Sequence, residues 1–265
     1  MKLTAFFLLG GLALCQAGNG NAMERFVAQL EKQTLFCRYK STTITSRLLD
    51  DLLEDARYNR FAIPMENGPD PVNVDNAMNL AVGLGARNID MDPAGNLKMN
   101  AWLRSTWKDF RLMWEPSEYE GVDRLFLPPD LIWTPDLSIY NQADYGQDFA
   151  DQNLKQTPHK AVVTNTGNVY WIPAIRMHVD CSTVEGFVPT QPADPTADRD
   201  CHIKLGSWVS DARHINLTAF ANEDSLNLED MSRNSPYVVT SREDGAIQTT
   251  KYDCCPEPYM VANYR

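Results

Sequence analysis

The sequence predicts a mainly β protein, an immunoglobulin-like β-sandwich of about ten strands preceded by one N-terminal α-helix. Three observations predict it. Apolar residues recur at helical spacing from Leu48 to Ala56, and helix-length patterns largely vanish afterwards. From Val72 onward the period changes to two. Turn signals then follow at short intervals: Asp92-Pro93-Ala94-Gly95-Asn96, Pro128-Pro129-Asp130, Asn165-Thr166-Gly167 and Glu243-Asp244-Gly245.

The first segment, residues 1–17, reads as a signal peptide. Lys2 supplies the positive start and Phe6 to Leu14 the apolar run, and Ala13, Ala17 and Ala22 allow cleavage as late as residue 22. That run is too short to span a bilayer, and nothing downstream approaches the length of a membrane helix. Residues 18–43 form a polar N-terminal extension with a short helical pattern near Glu24 to Lys32, to which no function is assigned. Residues 44–265 read as one domain, with no internal repeat and no dividing linker.

The helix opens that domain. Leu48, Leu49, Leu52, Leu53 and Ala56 form its apolar stripe, while Asp50, Asp51, Glu54 and Asp55 take the other faces. Thr45 or Ser46 is expected to cap it, and it ends before Asn59, with Pro64, Pro69 and Pro71 barring continuation. Among the strands, Phe110, Leu112 and Trp114 alternate with Arg111 and Met113, and Ile175, Met177 and Val179 with Arg176 and His178. Val162-Val163-Thr164 and Val169-Tyr170-Trp171-Ile172 flank a turn and read as a hairpin. Cys181 to Cys201 encloses a polar loop with Pro189, Pro192 and Pro195, whose closure by a disulfide would contribute roughly 3 kcal/mol.

Composition narrows the function. The net charge of −11 argues against nucleic acid, which requires clustered Lys and Arg. It is compatible with attraction of cations, and equally with plain solubility. His159, His178, His202 and His214 lack metal-ligand spacing, so no metal is expected. There is no Gly-rich phosphate loop and no Gly-x-Ser-x-Gly elbow, so neither a cofactor nor catalysis is expected. Asn216-Leu217-Thr218 is a glycosylation acceptor triplet.

Secretion makes disulfides expected. Cys15 leaves with the signal peptide, and the five cysteines that remain are an odd number. Cys254 and Cys255 are adjacent, with Tyr252 before them and Tyr259 after. Consecutive Cα atoms lie about 3.8 Å apart, closer than ordinary disulfide geometry, so a bridge here would be unusual. Taken alone, the pair reads equally well as two cysteines bonded elsewhere or free.

With its flanks the pattern is more specific. Tyr252-Asp253-Cys254-Cys255-Pro256-Glu257-Pro258-Tyr259 resembles the ligand-capping loop of the Cys-loop ligand-binding domains, the family of nicotinic acetylcholine receptors and acetylcholine-binding proteins. Four more segments resemble that family in order: Trp102 to Asp109, Trp133 to Asn141 with its Trp-x-Pro-Asp, Val162 to Pro173, and Gly206-Ser207-Trp208. The resemblance runs from about Thr45 to the end of the sequence.

The resemblance implies bridges Cys181–Cys201 and Cys254–Cys255, leaving Cys37 as a buried thiol or an intermolecular link. It also implies a homopentamer that binds acetylcholine or nicotinic ligands reversibly between subunits. On matching positions, Tyr140, Trp208, Tyr252, Cys254, Cys255 and Tyr259 form the principal wall. Trp102, Arg104, Val162, Tyr170 and Ile172 form the complementary wall on the neighbour. The chemistry fits, because a quaternary ammonium has no proton to donate and aromatic faces attract it directly. Trp107, Trp114, Trp133 and Trp171 are assigned instead to the core, and Asp136 to a structural hydrogen-bond acceptor.

Two departures bear on function. Arg104 shares a strand face with Trp102, where it either penalises small cations or pairs with an acid on the neighbour. Nineteen residues separate Cys181 from Cys201, where receptors carry thirteen and an apolar, aromatic core; Phe187-Val188-Pro189 is a faint counterpart. Glu185, Asp194, Asp198, Arg199 and Asp200 would be costly to bury, so the loop is expected in water. The main expectation is therefore a secreted, soluble acetylcholine-binding protein. The alternative is the extracellular domain of a nicotinic receptor subunit, a ligand-gated ion channel.

Overall fold

The computed structural model describes residues 43–66, 76–143, 159–183, 198–223, 225–241 and 247–265. The signal peptide, the extension, Cys37, Phe187-Val188-Pro189 and the Glu243-Asp244-Gly245 turn lie outside them.

Helix α1, Ile44–Leu49, starts earlier than the sequence suggests. Its cap is Thr43, not Thr45 or Ser46: Thr43 has extended backbone, and its hydroxyl accepts the Ser46 N–H at 3.3 Å. The next six residues, Asp50–Asp55, wind as a π-helix, and Arg57 with φ 53° ends the segment. Leu48 and Leu52 are buried in the core, with Leu49 and Leu53 packed against it. Behind this helix Tyr58 donates to Asp109 Oδ2 at 2.7 Å and accepts the Trp133 N–H at 2.9 Å. Arg111 grips both oxygens of the same carboxylate at 2.8 Å, so the fully buried Asp109 is paired and hydrogen-bonded.

Two sheets follow. The larger has seven strands, ordered β11-β1-β2-β6-β5-β3 with β7 also on β2. These are β1 Met78–Met91, β2 Leu97–Met113, β3 Arg124–Leu127, β5 Ala161–Thr164, β6 Thr166–Trp171, β7 Ala174–Val179 and β11 Ile215–Ala219. The smaller is ordered β12-β13-β10-β4, from β4 Leu137–Ile139, β10 Ile203–Ser207, β12 Gln248–Thr250 and β13 Tyr259–Tyr264. A ribbon of β8 Cys181–Thr183 and β9 Arg199–Cys201 stands apart and carries the Cys181–Cys201 disulfide. The strands exceed the ten or so expected because β4, β8, β9 and β12 are three residues each, too short to show a period.

Between the sheets lies one apolar cluster. Leu80, Val82 and Leu84 of β1, Leu103 and Trp107 of β2 and Leu205 of β10 are all buried in it. Tyr264 on β13 donates across to the Val82 carbonyl at 3.3 Å and ties the layers. This is the expected immunoglobulin-like sandwich.

One strand departs from simple alternation. The first part of β2 buries Leu97, Met99, Ala101, Leu103, Ser105 and Trp107, whereas Leu112 near its end and Trp114 just beyond it are buried. The β2–β6 register slips between Lys108 and Met113, which switches the inward face. Phe110, expected beside Leu112 on one face, is therefore exposed.

Candidate ligand-binding site

Six tryptophans separate cleanly by burial. Trp107, Trp114, Trp133 and Trp171 are core residues, as expected, and Trp107 meets Trp133 edge-on at 5.5 Å. Trp102 is half-buried, and Trp208 is 69% exposed. An indole left that open in a protein with a filled core is available for a ligand or a partner.

Trp208 follows the last residue of β10 and is held by the segment before β4. Asp136 accepts from Ser207 Oγ at 2.6 Å and from the Val209 N–H at 2.8 Å, while its carbonyl accepts the Trp208 N–H at 3.2 Å. Asp136 is thus the structural acceptor the sequence suggests, and its bonds bracket the indole on both sides.

Around Trp208 three tyrosines gather in a chain of edge-to-face contacts. Tyr140 meets Trp208 at 6.1 Å, Tyr252 meets Tyr140 at 6.1 Å and Tyr259 meets Tyr252 at 6.1 Å. Such contacts present ring faces in different directions and favour mutually perpendicular walls. Tyr140 donates its hydroxyl to the Ser207 carbonyl. Burial, together with the nearby Tyr252 and Asp136, raises its phenol well above the ordinary range. Burial raises Tyr252 as well. Both therefore stay neutral near neutral pH, and the box carries no charge of its own from them. Gly206 makes room for Tyr140: a Cβ there would lie 2.5 Å from Tyr140 Oη and 2.9 Å from the Met260 carbonyl oxygen.

Tyr252 and Tyr259 flank the bridge of Cys254 and Cys255, whose Cα atoms are 3.8 Å apart. The loop is anchored at its base. The Ala212 N–H donates to the Pro258 carbonyl at 2.9 Å, and Arg213 reaches Glu257 at 3.1 Å while also pairing with Asp211 at 2.7 Å. Burial works to raise the Asp211 carboxyl, but hydrogen bonds from Arg213 and His214 hold it down at about 2.

The other predicted residues lie on the outer face of the seven-stranded sheet. Trp102 and Arg104 are on β2, Val162 on β5 and Tyr170 on β6, with Ile172 just beyond β6. Phe126 of β3 pairs with Val162, and Val162 with Tyr170, so an apolar row crosses three strands. Phe126 is 59% exposed and was not singled out in the sequence. Among the described residues no ring contact joins this face to the Tyr140–Trp208 box. Within one chain the two groups of predicted residues thus stay apart. Arg104 pairs with Glu223 of its own chain at 2.9 Å. Asn216 lies on β11 and donates to Asn79 Oδ1 at 2.8 Å. Among the described residues there is no cluster suited to a metal ion.

The profile of the neurotransmitter-gated ion-channel ligand binding domain matches residues 45–264. Similar proteins include neuronal acetylcholine receptor subunit alpha-6 of Rattus norvegicus, 34% identical over 209 residues, which are 79% of this chain and 38% of that one. Subunit alpha-2 of Homo sapiens is 31% identical over 208 residues, 78% of this chain and 36% of the relative. Subunit alpha-4 of Mustela putorius furo is 32% identical over 220 residues, 82% and 31% of the two chains. The chain thus spans less than two fifths of the length of these three relatives. No described helix is long and apolar enough to cross a membrane. With this sandwich, these two bridges and a match across nearly all of the described residues, the chain belongs to the neurotransmitter-gated ion-channel ligand-binding domain family.

Proposed function

We propose that this domain binds a small cationic ligand, acetylcholine or a nicotinic agonist or antagonist, reversibly in aromatic cages between copies of itself. The principal wall is Tyr140, Trp208, Tyr252 and Tyr259, with Cys254 and Cys255 in the loop that closes over the ligand. The complementary wall is Trp102, Val162, Tyr170 and Ile172 of the next copy. The observation that carries this reading is the chain of three ring contacts ending on an exposed indole. It offers ring faces of negative potential, which suit a quaternary ammonium better than an anion.

The half-sites lie on different sheets, which supports assembly into a ring in which each copy offers one half to each neighbour. Five copies is the number the family resemblance implies. Since the similar proteins are receptor subunits, we read the domain as the extracellular, ligand-binding part of a nicotinic-type channel subunit. A second reading, a secreted soluble acetylcholine-binding pentamer, is favoured by the charged ribbon, where Asp198 is exposed and Asp200 pairs with Arg265 at 2.5 Å. A transcript encoding four apolar segments of about 20 residues after Arg265 would decide for the channel. Light scattering tests the ring, and titration with acetylcholine tests the cage. A monomer that binds no ammonium ligand would overturn the proposal.

A further inference from the structure

The cation that matters on the complementary wall is not Arg104. One Nη of its guanidinium pairs with Glu223, its buried Nε has no hydrogen-bond partner, and the group lies over the Phe220 ring at 5.5 Å. Arg87 is different. The β1–β2 register runs from Ala86 opposite Ala101 to Asn88 opposite Asn100, so Arg87 is the extra residue of a bulge. Bulges re-aim a side chain. Here the guanidinium of Arg87 sits over the Trp102 ring, 4.8 Å from its centroid. The backbone beneath it is clamped, because Asn227 donates to the Leu84 carbonyl at 2.9 Å and Ser232 to the Arg87 carbonyl at 2.8 Å. Arg87 is exposed, and among the described residues its side chain makes no hydrogen bond or ion pair.

We propose that Arg87 is a specificity residue that selects zwitterionic ligands, those with a quaternary ammonium head and a carboxylate. The inference rests on the cage reading above. A guanidinium stacked on an indole spends its flat face on the ring and keeps its N–H edges free. A ligand seated against Trp102 covers that charge, and covering an unpaired charge is costly unless the ligand brings an acceptor. A carboxylate does so in bidentate fashion. A bare tetraalkylammonium brings none, and must also share the Trp102 face with a cation already there. The two walls then divide the work: the neutral tyrosine–tryptophan box takes the head, and Arg87 of the next copy takes the tail.

The test compares trimethylglycine with tetramethylammonium, which share a head and differ by the carboxylate, in isothermal titrations of the assembled protein. Wild type is expected to bind trimethylglycine more tightly. Arg87→Gln should weaken trimethylglycine about tenfold or more, the loss of a charge-assisted hydrogen bond. It should strengthen tetramethylammonium about two- to fivefold by freeing the ring. Opposite shifts are the signature, since general damage would move both ligands the same way. Arg87→Lys, which keeps the charge and loses the planar fork, should fall between. Parallel shifts, no shift, or tighter tetramethylammonium in wild type overturn the role of Arg87 and leave the cage standing. Acetylcholine is titrated beside them: wild type that binds acetylcholine but neither of the two overturns this inference alone, and wild type that binds none of the three brings down the cage reading as well.

Discussion

Gly206→Ala is a one-atom perturbation whose effect can be worked from the structure. The new Cβ would lie 2.5 Å from Tyr140 Oη, 2.9 Å from Tyr140 Cζ and 2.9 Å from the Met260 carbonyl oxygen. Favourable contacts between heavy atoms begin near about 3.5 Å, so something must retreat by roughly 1 Å. The Met260 carbonyl belongs to β13, which pairs with β10, and cannot yield without disturbing the sheet. The Tyr140 ring must move instead, and it then leaves the Ser207 carbonyl it bonds. Overpacking of this kind costs about 1–3 kcal/mol, and the lost hydrogen bond about 1 kcal/mol more. Tyr140 also touches both Trp208 and Tyr252, so the cage opens and a cation loses at least one aromatic contact, about 0.5–2 kcal/mol.

Urea unfolding at fixed protein concentration should therefore show a clear drop in midpoint without a change in slope, and tetramethylammonium should bind more weakly. Tyr140→Phe removes the atom nearest the clash. In that background Gly206→Ala should cost less, giving a coupling of about 1 kcal/mol in a double-mutant cycle. A Gly206→Ala variant within about 0.5 kcal/mol of wild type and with unchanged affinity would refute this account of Tyr140.

Asp109→Ala should destabilise the fold by about 3–5 kcal/mol, read by chemical unfolding, because Arg111 and Tyr58 lose their shared buried partner. Mild reduction followed by alkylation and mass spectrometry should label Cys254 and Cys255 before Cys181 and Cys201, since Cys254 is exposed and the other bridge is half-buried; the reverse order would count against the loop as described. Asp211 is held down at about 2, below its ordinary value, so its contribution is complete above about pH 4 and is lost as pH falls toward 2. Asp211→Asn should flatten that part of an acid-unfolding curve, and an unaltered acid limb would show that the Arg213 and His214 contacts are worth little.

Much of this site was legible through the family resemblance, because each motif that carries it is short. The paired cysteines with their tyrosine flanks form one short motif and Trp-x-Pro-Asp another, and the structure brings Tyr140, Trp208, Tyr252 and Tyr259 together. Trp107 and Trp171 were legible as core because they lie in strands with alternating neighbours, whereas Trp114 and Trp133 lie just outside strands. What escaped depends on register. Phe110 turns outward because β2 slips against β6, and Arg87 reaches Trp102 because β1 bulges against β2. One extra residue on β1, or three on β2, has no local signature, yet an odd number reverses the face of everything after it. The partner of Arg104 is Glu223, 119 positions away in sequence, a pairing set by the loop after β11. Thr43 as the helix cap was missed for a smaller reason: Thr43, Thr45 and Ser46 all suit that role, and only the backbone path chooses between them.

The central claim is that an exposed indole and three tyrosines form a cation cage, and Trp208→Ala tests it most directly. The side chain is 69% exposed, so its removal leaves the core intact and folding is not at issue. Isothermal titration of the assembled variant with acetylcholine should show affinity weakened by about 2 kcal/mol or more, the contribution of a desolvated indole to a cation. A folded Trp208→Ala protein that binds acetylcholine as tightly as wild type would contradict the account and place the ligand elsewhere.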